Sequence, residues 1–246
     1  MIKSNIDKNK TTRETKESLS NIDNDTSKIN NIFLKTIDCP ACKNSFKTPT
    51  IKVNVPRIAS RDSDFFIRYV LDNPYFYEVW ICPSCGYSAL KSDFSKLRDY
   101  QAKLVKEKIT PKWVAREYAL PFNEKTAIER YKLALVNSLI IESKSSTKGI
   151  ICLKIAWMYR LILDETNEKN YIKQALIALE DAYINEKLPI YGLDKFSIMY
   201  LIGELNRRLG ENTIALRWFS EVITSIGAPQ KVKEMARDSK DKIGRY

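Results

Sequence analysis

Two short cysteine pairs constrain this chain more than any other feature. They are Cys39-Pro40-Ala41-Cys42 and Cys82-Pro83-Ser84-Cys85, with 39 residues between them and Gly86 directly after the second. A Cys-x-x-Cys turn presents both sulfurs on one side of a tight knuckle, close enough to chelate one ion. Proline after the first cysteine stiffens each turn, and Gly86 permits a positive φ that brings its N–H toward the thiolate. Two knuckles complete a tetrahedral set with no open position, which is the arrangement of structural and not catalytic zinc. The expectation is one structural Zn²⁺ on Cys39, Cys42, Cys82 and Cys85. Rubredoxin-type iron uses the same four thiolates and stays open at this point. A redox-active pair would need a thioredoxin-like βαβ pattern, and none is visible; a disulfide does not suit a reducing compartment. Cys152, inside the apolar run GIICLKIAWMY, reads as a buried core thiol.

Histidine is absent from all 246 residues. That excludes Cys/His metal sites, Ser-His-Asp and Cys-His triads and imidazole acid–base chemistry. The net charge is +11, of which residues 31–122 carry +6 (fifteen basic, nine acidic) without any dense Lys/Arg block. No apolar run approaches the ~20 residues of a membrane span. The N-terminus also lacks the apolar core of a secretory signal, so a cytoplasmic location is expected.

Three regions follow from the pattern. Residues 1–30 are rich in Lys, Asn, Ser, Thr and Asp, have no aromatic side chain and read as a disordered tail. Residues 31–120 form the cysteine-bearing module. There Ile51, Val53 and Val55 alternate as in a half-buried strand, bracketed by Pro49 and Pro56. A second run places Tyr77, Val79 and Ile81 on one face and Phe76 and Trp80 on the other. Ser92 then reads as the N-cap of a helix reaching about Lys108. From 121 to 246 only helical periodicity remains, at roughly 123–142, 148–163, 168–187, 194–209, 211–226 and 229–242. The fold class expected is α+β: a small zinc-bound β-rich module, then an all-α helical-hairpin solenoid. Gly203, Ala215 and Phe219, at spacings of 12 and 4, match a tetratricopeptide repeat, whereas Ala175, Leu179 and Ala182 repeat its second helix at an imperfect period.

The module carries further particular residues: Arg61-Asp62-Ser63-Asp64, Asp72-Asn73-Pro74-Tyr75, and Cys82-Pro83-Ser84-Cys85-Gly86-Tyr87-Ser88-Ala89. With the first knuckle these resemble the bacterial family known as domain of unknown function 2225, across roughly residues 31–230. The resemblance implies a zinc-binding N-terminal half and a tetratricopeptide-like C-terminal half, and supplies no function.

Arg61, Asp62 and Asp64 could form a polar site, or could brace strands and turns. Tyr75, Phe76, Tyr77, Trp80 and Tyr87 read as the module's core, or in part as a stacking surface. On helix 194–209, Tyr200, Glu204, Arg207 and Arg208 are expected on an exposed face, where an arginine pair beside a tyrosine suits an acidic peptide or a chain's C-terminal carboxylate. The function expected is a non-enzymatic protein–protein adaptor. The alternative is a nucleic-acid-binding protein using the basic, aromatic module, with weak and unspecific binding. An enzyme built on Arg61, Asp62 and Asp64 is disfavoured, because no histidine, phosphate loop or nucleophile motif accompanies them.

Overall fold

The computed structural model describes residues 31–244; the expected tail, 1–30, lies outside the described residues. Three antiparallel strand pairs come first. β1 (Ile32–Asp38) pairs with β2 (Ser45–Ile51) in a register running from Ile32↔Ile51 to Asp38↔Ser45. β3 (Ile58–Arg61) pairs with β4 (Ile67–Tyr69), and β5 (Val79–Ile81) with β6 (Ser88–Leu90). Each cysteine knuckle therefore sits at one end of a hairpin ribbon: the first joins β1 to β2, the second joins β5 to β6.

Two local expectations are corrected. The strand expected from Ile51 to Val55 ends at Ile51, and Val53 is 92% exposed. The alternation there is real, but β2 already spends its pairing on β1 upstream. Pro49 lies inside β2 opposite Leu34, which a two-stranded ribbon tolerates because one side of β2 needs no ladder bond. The helix expected from Ser92 is also broken. A short 3-10 turn (Phe94–Lys96) buries Phe94, and Leu97 is extended. Only then does α1 (Asp99–Leu104) begin, passing into a π-helical turn (Val105–Ile109). In the second strand run, Pro74–Tyr77 is a 3-10 turn capped by Asn73, whose Oδ1 accepts from Tyr75 N at 3.0 Å.

Six longer helices follow at the expected places: α2 (Glu124–Ile140), α3 (Ser145–Leu161), α4 (Glu165–Asn185), α5 (Lys195–Leu209), α6 (Asn212–Thr224) and α7 (Gln230–Ile243). Short polar side chains start three of them. Asn123, Asp164 and Asp194 each accept from a backbone N–H three residues on, at 2.9, 3.0 and 2.7 Å. Gly210, at φ 86°, closes α5. Gly203 fulfils its expected role: a Cβ there would lie 2.8 Å from the Phe219 ring, so only glycine lets α5 and α6 come this close. Ala175, Leu179, Ala182, Ala215 and Phe219 are all fully buried between helices.

The two halves share one core. Phe66, Tyr75, Val79 and Leu90 from the strand-rich half pack into the same cluster as Tyr131, Ile151, Ile155 and Met158 from α2 and α3. Arg130 on α2 is buried with them. Its guanidinium donates to Val79 O at 2.6 Å and lies 4.6 Å from the Phe122 ring centre, and burial lowers its pKa to about 10. The five aromatic residues of the module are thereby accounted for as core: Tyr75, Tyr77 and Tyr87 are buried, Phe76 and Trp80 half-buried against them.

Candidate metal centre

The two knuckles fold identically, although their sequences differ at the decisive position. Lys43 N donates to Cys39 O at 2.8 Å, and Gly86 N donates to Cys82 O at 2.9 Å. In each turn the residue after the second cysteine is left-handed, Lys43 at φ 66° and Gly86 at φ 76°. The sequence signals this at Gly86 and hides it at Lys43. The Gly86 N–H goes to a backbone carbonyl and not to the thiolate expected as its partner.

These turns bring the four sulfurs within 4.8 Å of one another, with Cys39–Cys85 and Cys42–Cys82 at 3.6 Å. All four are free thiols. A tetrahedral ion with metal–sulfur bonds of ~2.3 Å has sulfur–sulfur edges of about 3.8 Å, so the cluster fits one metal ion. As thiols, the sulfurs do not share protons evenly. Hydrogen bonding among the crowded sulfurs pulls Cys82 well below the usual thiol range and pushes Cys39 above it. A cation held there would take the place of the thiol protons. Cys152 stands apart on α3, buried and raised to about 12 by burial alone, as expected of a core thiol.

The second knuckle is locked to the body of the protein by residues the cysteine spacing does not reveal. Trp113 Nε1 donates to Pro83 O at 2.8 Å, and Thr110 Oγ1 to Cys85 O at 3.1 Å. From α2, Asn137 accepts from Ser88 N at 3.1 Å and donates to Gly86 O at 3.4 Å. The Trp113 ring covers Gly86 so closely that a Cβ would meet it at 2.6 Å. Among the described residues the first knuckle shows no such side-chain anchors; its sulfurs, the partly buried Ile37 and the buried Phe46, whose ring lies 5.9 Å from that of Phe94, hold it against the second.

The Arg61–Asp64 segment and the helix-194–209 residues meet at a different place. The β3–β4 turn inserts Asp62, Ser63 and Asp64 between α3 and α5. Arg160 donates to Asp64 at 2.6 Å, to Asp62 at 2.9 Å and to Glu168 at 2.7 Å, while Trp157 Nε1 donates to Asp64 at 3.1 Å. Arg68 grips Asp62 through two bonds of 2.8 and 2.9 Å. Arg61 itself remains exposed on β3 and outside this network. The exposed face expected on α5 is corrected here. Tyr200 and Glu204 are fully buried, with Tyr200 Oη donating to Ser63 O at 2.8 Å and Glu204 accepting from Ser63 Oγ at 2.6 Å. Arg207 and Arg208 turn onto Glu204 at 2.8 and 3.0 Å, and Arg208 lies 3.5 Å from Asp64. The groove in front of α5 is filled by the chain's own turn.

Two outcomes follow for experiment. Burial would raise the Asp62 and Asp64 carboxyls, but arginine hydrogen bonds and charges outweigh it and hold both below the usual range. Their stabilisation is therefore complete above the unfolded pKa of about 3.9 and is lost as pH falls through the lower folded values. Asp64→Asn takes from Arg160 its one fully buried carboxylate and should cost about 3–5 kcal/mol in urea unfolding at neutral pH, with a smaller further loss on acidification than in the wild type because Asp62 still titrates. A change below about 1 kcal/mol would show that the seam does not hold the halves together. Stripping the metal with a chelator should raise amide hydrogen exchange across 32–51 while leaving 88–90 and 124–140 protected. Uniform loss of protection across all three would contradict the separate anchoring of the second knuckle.

No helix among the described residues is long and apolar enough to cross a membrane. No curated protein and no solved structure matches the chain. One family does, described as "Uncharacterized protein conserved in bacteria (DUF2225)", and the match runs from residue 32 to residue 243 of the 246. The chain therefore belongs to the domain of unknown function 2225 family.

Proposed function

We propose that this protein is a non-enzymatic adaptor of the cytoplasm, built around one structural Zn²⁺, whose helical half contacts a protein partner. The observation that carries the zinc reading is the closed set of four sulfurs, three of them buried, with no position left for water or substrate. Cys39, Cys42, Cys82 and Cys85 would hold the ion, which when bound neutralises the thiolates and ties the β1–β2 ribbon to the β5–β6 knuckle. The non-enzymatic reading is supported by Asp62, Asp64 and Glu204, each engaged by arginine and unavailable as a free acid or base.

With the α5 groove filled, the support for a protein contact moves to α4. There Ile177 and Ile184, two turns apart on one face, are 69% and 76% exposed. Elemental analysis of purified protein should find about one equivalent of zinc per chain. Zinc below half an equivalent, or iron in its place, overturns the metal assignment. The double variant Ile177→Ser with Ile184→Ser should keep its helical circular dichroism and lose a protein reproducibly crosslinked to the wild type in native cells. Retention of that partner at wild-type yield removes α4 as the contact.

A further inference from the structure

The cations of the seam and those around the candidate metal centre are used differently. In the helical half, Arg160, Arg207 and Arg208 are bonded to acids in the seam. Around the metal centre, Lys43, Lys47, Lys103, Lys106, Lys108 and Lys112 are all exposed, and none forms an ion pair among the described residues. Lys43 belongs to the first knuckle and Lys47 to β2. The other four lie along α1 and the two turns that follow it, with Glu107 as the sole acid from Lys103 to Lys112. The opposite side of that segment, Leu104, Val105 and Ile109, packs onto the cluster containing Cys39, Cys82 and Cys85. The lysines thus point outward from the elements that enclose the cysteines.

A simpler use for them would be to balance the negative charge of four thiolates. Lysines serving that purpose would turn inward, and no lysine ammonium here donates to a cysteine sulfur. Nor do nearby acids neutralise them: Asp38 accepts from Ser45, and Asp99 sits in the first turn of α1. Such a set leaves several mobile point charges over one module, suited to an anion with regularly spaced charges. Tyr100, 46% exposed on α1, adds an aromatic face beside them.

We propose that the lysine-bearing surface around the metal centre binds the phosphate backbone of nucleic acid without sequence preference. Phosphate is the shared chemistry of RNA and DNA. The lysines supply charge but none of the planar forks that read base edges, so affinity comes from counterion release. This inference is independent of the protein contact proposed on α4.

The test is fluorescence anisotropy of the full-length protein with labelled single-stranded RNA, single-stranded DNA and duplex DNA, titrated between about 50 and about 200 mM salt. Binding should weaken steeply with salt. A variant with Lys103, Lys106, Lys108 and Lys112 each changed to Gln should bind at least about tenfold more weakly. On single strands its logarithmic salt slope should be shallower by about 3, from four phosphate contacts at about 0.7 each. The matched variant with Lys231, Lys233, Lys240 and Lys242 changed to Gln removes the same charge from α7 and should bind as wild type. Glu107→Lys should tighten binding, which keeps the test decisive even if the first variant is poorly folded. Preference among the three oligonucleotides identifies the natural strand. Equal weakening in both lysine variants, no binding at low salt, or binding of polyglutamate in place of oligonucleotides each overturns the proposal, the last assigning the surface to an acidic protein.

Discussion

The approach of four sulfurs to within 4.8 Å of one another is the constraint around which the strand-rich half is arranged. None of its three strand pairs could stand alone, since an isolated two-stranded ribbon is marginal in water. The β5–β6 pair solves this by packing on α2 through Val79 and Leu90 and by accepting Asn137 as a bracket. The β1–β2 ribbon is held along β2, where Phe46 meets Phe94 and Ile51 packs with Tyr77 and Phe122. Its outer strand is largely exposed, and its knuckle meets the second through Cys39, Cys42, Ile37 and Phe46. A metal ion held at this junction would tie the knuckle end of that ribbon to a second knuckle already fixed from α2.

The second junction is electrostatic and lies at the other strand pair. Asp64 is fully buried, and a buried carboxylate without partners would be far too costly to retain. Arg160 and Trp157 on α3 and Arg208 on α5 converge on it. Each is planar or forked and bonds from a fixed direction, so the β3–β4 turn can dock in only one orientation. The turn takes some strain to do so. Phe65 adopts φ 67°, unusual for a non-glycine residue, and its ring lies 5.5 Å from that of Tyr200, tilted at 60°. The charged seam and the shared apolar core make the strand-rich and helical halves parts of one body.

What could be read from the sequence was what depends on neighbours in the sequence. The knuckles follow from Cys-Pro-x-Cys spacing, and the helices from three- and four-residue periodicity. The Gly203–Phe219 contact follows from small and large residues placed a fixed distance apart on a hairpin. What could not be read depends on distant segments. Glu204 looked like a solvent charge on α5; its burial is decided by Ser63, 141 positions away. Lys43 looked like any surface lysine, although its backbone copies Gly86 because the same two hydrogen bonds close both knuckles. Alternation at Ile51, Val53 and Val55 pointed to a strand in the wrong register, since periodicity cannot say which stretch finds a partner.

The division of labour between arginine and lysine ties these observations together. The seam is built from arginines, whose planar guanidinium loses water readily and bonds two carboxylate oxygens at once. Arg68 and Arg207 both do this, on Asp62 and Glu204. The surface around the metal centre is built from lysines, whose compact ammonium stays hydrated and binds without a fixed direction. A protein that needed those charges only for internal cohesion would have placed acids beside them, as the seam does. The lysines near the cysteines are thus left to solvent, while the arginines of the seam are spent on cohesion.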